Sequence, residues 1–273
     1  MRAIETFQES KSPDRASEDG LVVTSSFAAV VDGSTSKGTW RPGGHTTGYV
    51  AMQTVCAAIA TMPAQSTMAQ ALEWLTDAIN KAYDTYHLPP HMQQQAENRL
   101  TCSAAILSRE RNEVWLIGDC QCRFGGTTYS NPKLIDKVLA NVRSDVAHWL
   151  IGCGHTIDQL RHNDLSRQYI MTWLREQCHF QNTRTDNPFA YAVLDGSRVN
   201  PAQVRVLPTG TASHIVLATD GYPLLCDTLQ ASEQSLKRLL ESDPLCIDEN
   251  MSTKGMMSGA NSFDERRFLK IQL

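Results

Sequence analysis

The chain has no apolar run approaching the ~20 residues that a bilayer-spanning helix needs, so a membrane partner is not expected. It also lacks a basic excess. Its 25 lysines and arginines stand against 29 acidic residues, for a formal net charge of -4, which excludes the electrostatic footprint of a nucleic-acid binder. The N-terminal stretch MRAIETFQESKSPDRASEDG has no apolar segment after its early arginine. It predicts no secretory signal, and with it a cytoplasmic location. There is no internal repeat, low-complexity tract or C-x-x-C pair. The eight cysteines are scattered, and only Cys120-Gln121-Cys122 comes close to a motif. Two thiols at that spacing share one face of a strand, and they read as small buried hydrophobes in a reduced protein.

What is present suits a soluble globular chain. Hydrophobic residues are 41 % and charged residues 20 % of the 273, enough for a large core without staples. A single domain over residues 1–273 is expected. The first twenty residues read as a polar lead-in. Leu21 to Val31 reads as strand, in two pieces broken near Ser25-Ser26, and it stops at Asp32-Gly33. A Gly-, Ser- and Thr-rich loop follows. Two helices come next, from about Thr46 to Met62 and from Thr67, where Thr67 and Gln70 have capping-box spacing.

Arg99–Ser108 and Glu113–Gly118 read as paired strands, with a third through Cys122 and Phe124. Lys133 to Cys178 is helical, split near Gly152-Cys153-Gly154, with Trp149 and Trp173 expected in core. Tyr191–Leu194 and Val204–Leu207 read as strands around a turn at Asp195-Gly196. Ile215–Ala218 is a buried strand ending in Thr219-Asp220-Gly221. A short helix near Ser232–Leu240 and a final strand close the chain. Strands in runs and helices in pairs favour an α+β layered fold with antiparallel sheet.

Four aspartates share a context. Asp32, Asp119 and Asp220 each end an apolar strand, and Asp264 lies just before the last one. Carboxylates at buried strand tips are costly unless paired, protonated or bound to a cation. Several brought together would suit a hard divalent ion with oxygen ligands, Mg²⁺ or Mn²⁺. Gly33 would let the backbone turn tightly and bring its carbonyl near the ion.

The ordered set Arg15…Glu18-Asp19, Val31-Asp32-Gly33, Gly118-Asp119, Thr219-Asp220-Gly221 and Asp264 resembles the PPM family, the metal-dependent protein serine/threonine phosphatases, in their bacterial type. The resemblance runs from about residue 15 to 273. It implies a four-layer α-β-β-α sandwich of two antiparallel sheets flanked by helix pairs. It also implies two Mn²⁺ or Mg²⁺ ions and a third, weaker site. Asp32 would bridge the two ions, with the Gly33 carbonyl on one of them. Asp220 and Asp264 would complete the second ion's ligands, and Asp119 with Asp220 would make the third site. Glu18 and Asp19 would hold metal-bound waters, and Arg15 the substrate phosphate.

The implied activity is hydrolysis of phosphoserine and phosphothreonine in proteins by attack of a metal-bridging hydroxide. A phosphoprotein would be the substrate, with a separate kinase or regulator as partner. Ser34 stands where some family members carry a histidine, and Cys120-Gln121 where Ser-Arg is usual. These departures, with Arg15 one residue nearer Glu18 than is usual, keep open a PPM-fold regulatory or binding module without strong catalysis. A phosphatase of small phosphate esters, with the same site and a different pocket, is the other alternative. Lys37 is expected near the substrate. His45, Glu265 and the arginines 161, 167, 175 and 184 are expected to face solvent.

Overall fold

The computed structural model describes residues 1–14, 16–89, 92, 95–183 and 187–273. Its strands are β1 (Arg2–Glu9), β2 (Asp19–Val23), β3 (Phe27–Gly33), β4 (Cys102–Ser108), β5 (Glu113–Ile117), β6 (Gln121–Phe124), β7 (Thr127–Tyr129), β8 (Arg205–Pro208), β9 (His214–Ala218) and β10 (Arg266–Gln272). They form two five-stranded antiparallel sheets, ordered β2-β3-β4-β5-β8 and β1-β10-β9-β6-β7. The helices are α1 (Thr47–Thr61), α2 (Met68–Tyr86), α3 (Leu134–Gly152), α4 (Ile157–His162), α5 (Leu165–Glu176) and α6 (Leu229–Ser242). The fold is the α+β sandwich of two antiparallel sheets expected from the sequence.

Strand periodicity assigns the layers. In β3, Phe27, Ala29 and Val31 pack under α1 and α2 with Ala104 and Ile106 of β4 and Trp115 and Ile117 of β5. The alternate residues Ala28, Val30, Ala105, Leu107, Val114 and Leu116 face the other sheet. There they meet Cys120, Cys122, Ile215, Leu217, Leu269 and Ile271. The near-continuous apolar strands are thus buried on both faces. Thr67 caps α2 with Gln70 reciprocating, as the sequence predicts, and Thr46 caps α1.

The structure corrects several expectations. Residues 2–9 are not a lead-in but edge strand β1, paired with β10. Their charged, exposed pattern hid this, because an edge strand needs only one apolar contact row. The helical middle splits a second time, at Asn163-Asp164, where the Asp164 carboxylate caps α5. Asp195-Gly196 is a turn but joins no hairpin. Leu194 makes only a single bridge to Cys102, and β8 pairs with β5. The Asp195 carboxylate is instead a buried acceptor for Asn182 Nδ2 and the Ser197 backbone N–H, each at 2.9 Å.

The outer layers differ. α1 and α2 cover the first sheet as a pair. The outer face of the second, with Val216, Ala218 and Phe268, packs with Tyr222, Leu225 and Leu229, the last opening α6. The α3–α5 pair packs on itself and on Tyr191 and Val193 through Ile135, Leu139, Ile170 and Leu174. From there it lends residues to the cleft.

Candidate metal centre

The strand ends of both sheets meet at one cleft of about 560 Å³. Asp19 on β2 and Asp32 on β3 are paired opposite each other. On β3, Asp32 follows Ala28 and Val30 in the two-residue alternation that faces the opposing sheet. The pattern that fills the inter-sheet core therefore ends in a carboxylate where the core ends. Asp119 follows β5. Gly118 has φ +78°, a conformation that favours glycine, and an added Cβ would lie 2.2 Å from Ser103 Oγ. The second sheet brings Asp220 from the end of β9 and Asp264 from just before β10. Asp19, Asp32, Gly33, Asp119, Asp220 and Asp264 all line the cleft.

Gly33 is required by close approach. A Cβ there would stand 2.4 Å from the Gly48 carbonyl oxygen of α1 and 2.7 Å from that of Glu18. Glu18 itself is not in the cleft wall. It is buried, and its carboxylate accepts the Thr46 hydroxyl at the α1 N-cap. The placement of Arg15 lies outside the described residues.

The acids perturb one another. Burial and then the neighbouring carboxylates hold Asp19 and Asp32 well above the usual carboxylate range. Solvent reaches Asp220, but its walled position and the charges of Asp32, Asp264 and Asp119 raise it in the same direction. One hydrogen bond, from Thr219 Oγ1 at 2.7 Å, moderates Asp19.

Two lysines, neither expected from the sequence, occupy the other acids. Lys133 Nζ lies 2.6 Å from Asp119 and 3.8 Å from Asp136. Burial works against this ammonium, but the two carboxylates outweigh it and hold its pKa well above the ordinary value. Asp119 is correspondingly lowered despite its burial, and it also accepts Ser103 Oγ at 2.7 Å. Lys254 pairs with Asp264 and is itself raised, chiefly by that acid against the cost of burial. Lys37 and Arg167 line the same cleft.

Lys254 is placed by a buried node. The fully buried Arg143 of α3 donates to Asp164 Oδ2 from Nη2 at 2.8 Å and from Nε at 3.1 Å. Its Nη1 donates to the carbonyls of Leu245 at 2.9 Å and Ser252 at 3.0 Å. Arg167 donates to the Thr253 carbonyl. Arg161 donates to that of Met256 at 3.1 Å. Arg161 and Arg167, expected to face solvent, thus anchor the segment that carries Lys254; Arg175 is exposed as expected, and Arg184 lies outside the described residues. Arginines spaced along an amphipathic helix give no sign of a carbonyl partner some ninety residues away.

Two other expectations are corrected. Glu265 is buried, 3.3 Å from Ser17 Oγ and 3.8 Å from Lys11 Nζ, and not solvated. Trp149 and Trp173 are exposed and not core. His45 stacks on Tyr49 at 4.7 Å between ring centroids and stays at the surface, as expected.

The donor set fits a hard divalent cation in kind. It is all oxygen, drawn from both sheets, with Asp19, Asp32 and Asp220 raised first by their enclosed positions and then by neighbouring carboxylates. Among the described residues, however, no three such groups converge closely enough to hold an ion as they stand. Lys133 and Lys254 hold two of the five acids. None of the described histidines lines the cleft.

No protein-family model and no curated protein matches the chain. Solved structures do. The chain is similar to the catalytic domain of the serine/threonine protein phosphatase PstP in complex with two manganese ions, at 15% identity and TM-score 0.49, covering 98% of this chain and 96% of that one. It is similar to the serine/threonine phosphatase Stp1 from Staphylococcus aureus, at 15% identity and TM-score 0.45, covering 98% and 94%. It is similar to the PPM Ser-Thr phosphatase MsPP from Mycobacterium smegmatis in complex with cacodylate, at 16% identity and TM-score 0.45, covering 100% and 98%. PPM-family phosphatases are thus among the solved structures that this chain resembles end to end.

Proposed function

We propose that the chain is a Mn²⁺- or Mg²⁺-dependent phosphomonoesterase acting on phosphoserine and phosphothreonine in proteins. The observation that carries this reading is the meeting of Asp19, Asp32, Asp119, Asp220 and Asp264, from two sheets and five points along the chain, in one cleft. Asp32 with the Gly33 carbonyl, Asp220 and Asp264 would hold two ions, and Asp119 a weaker third. When bound, such ions supply an acidified water near neutral pH and offset phosphoryl charge.

The chain's own residues do the rest. Asp19, whose carboxylate accepts the Thr219 hydroxyl in the cleft, would hold a metal-bound water. Lys37, Lys133 and Lys254 stand on the cleft wall, where an ammonium meets the oxygens of a phosphate ester. The Arg143 and Arg167 contacts hold the segment carrying Lys254 in place, so that charge does not have to be gathered during reaction. With no described histidine in the cleft, the leaving alkoxide takes its proton from water or from Lys37, whose pKa is lowered by burial. Arg15 is the proposed phosphate clamp. A phosphoprotein substrate, a separate kinase or regulator, and a cytoplasmic location complete the proposal. No helix among the described residues is long and apolar enough to cross a membrane.

The test is hydrolysis of p-nitrophenyl phosphate and a phosphothreonine peptide with Mn²⁺, with Mg²⁺ and with EDTA, beside Asp220→Ala. Metal-dependent turnover lost in the variant is the expected result. Metal-independent turnover, or none from folded protein, would sink the proposal. The pairing of Lys133 and Lys254 with two of the proposed ligands favours a second reading, a binding module that holds metal weakly. Calorimetric titration with Mn²⁺ separates the two, because tight uptake excludes the module.

A further inference from the structure

Six large side chains stand exposed on one face of the α3–α5 pair. Leu134, Val138, Val142 and Trp149 recur along α3 at helical spacing, and Tyr169 and Trp173 lie one turn apart on α5. Their exposures run from 39% to 60%. The two helices run antiparallel: Ile135 and Leu139 pack with Ile170 and Leu174, and Ala147 and Leu150 with Leu165. The Trp149 and Tyr169 rings meet edge-on at 6.4 Å, which joins the two stripes into one surface. On ordinary residue areas these six expose about 650 Å². That exceeds the ~300–600 Å² of the largest apolar patch on a typical monomer. It approaches the ~800 Å² that each partner contributes to a standard interface. Tryptophan and tyrosine are also the residues that most often carry interface energy.

We infer that this face binds a second copy of the chain, helix α3 against helix α3 in antiparallel orientation about a two-fold axis near its middle. The charges of the stripe select this occupant. Exposed Lys137 lies near one end of it and exposed Asp145 beyond its middle. A two-fold between them brings Lys137 of each copy towards Asp145 of the other, twice, while Leu134 meets Trp149. The surface therefore carries its own charge complement, which a face built for an unrelated protein has no need of. Asp145 in the middle of an apolar stripe is otherwise unexplained, since none of the described residues forms an ion pair with it. Lys137 also lines the cleft, so the interface would run up to the cleft mouth.

The test is sedimentation velocity of the full chain from submicromolar to high micromolar concentration. The wild type is expected to be a dimer, and Val142→Glu and Trp149→Glu are expected to weaken it at least about tenfold. Lys137→Glu alone and Asp145→Lys alone should each weaken the dimer, and the two together should restore it. Circular dichroism and a thermal melt confirm that each variant folds. Because the double charge reversal regains what each single change loses, misfolding cannot mimic the expected pattern. A monomeric wild type throughout the range overturns the inference and leaves the face to a different partner. So does a dimer indifferent to Val142→Glu and Trp149→Glu, or a double variant no better than the single ones.

Discussion

Asp32 shows how one residue type serves opposite ends in this fold. In metal-free protein it is a cost, because burial and the charges of Asp19, Asp119 and Asp264 all disfavour its ionised form. A carboxylate raised in the folded state contributes stability below its unfolded pKa, and that contribution is lost as pH rises through the folded value. Asp19 and Asp220 are raised in the same direction. Metal-free protein should therefore lose stability as pH rises from the acidic range towards neutrality. Asp32→Asn should raise its melting temperature at neutral pH while abolishing turnover with Mn²⁺. A melt of both proteins in EDTA checks the first half, and a lower melting temperature for the variant would refute it. Gly33 is constrained by space. In Gly33→Ala the new methyl meets the Gly48 carbonyl, a backbone atom that cannot swing away. The expected loss is about 1–3 kcal/mol, read by urea unfolding.

At the level of elements, the segment 245–254 acts as an arm held by α3 and α5. Arg143 binds it from a position with no solvent contact, through three backbone carbonyls, and is itself paired with the Asp164 carboxylate at the start of α5. Removing one partner of such a buried pair leaves the other uncompensated, at a cost of about 3–5 kcal/mol. Arg143→Met should show that loss in a denaturant titration. It should also release Lys254 from Asp264 by loosening the arm, so that Mn²⁺ affinity changes along with stability. A variant as stable as the wild type would mean that the node is dispensable.

For the whole molecule, ligand linkage provides the reading. An ion that binds only the folded chain stabilises it by about 2.7 kcal/mol at a hundred times its dissociation constant. In a chain of this size that is a rise of about 5 °C or more in melting temperature. Mn²⁺ should raise the melting temperature of the wild type, EDTA should reverse the rise, and Asp32→Ala should abolish it. An equal rise in that variant would place the ion elsewhere.

Much of this was legible in the chain itself, because it depends on local chemistry. Two-residue and helical periodicities marked most of the strands and helices. The cap at Thr67 followed from a hydroxyl with Gln70 three residues on, whereas the Thr46 cap was shown only by the structure. The aspartates announced themselves as costly groups ending apolar strands, and Gly33 as a place where backbone must pass close. These are properties of neighbours along the chain, so they survive without the fold. Tertiary structure decided the rest, because it depends on partners distant in sequence. Edge strand β1 is mostly exposed, with no regular apolar alternation, and is defined by its pairing with β10, some 260 residues away. Lys133 and Lys254 look like surface lysines until the fold sets each beside an acid. Glu265 is buried by Ser17 and Lys11, which no spacing could indicate. Trp149 and Trp173 have the hydrophobicity of core. Only the packing of α3 against α5 shows which side of each helix was already filled, and so which side was left for another surface.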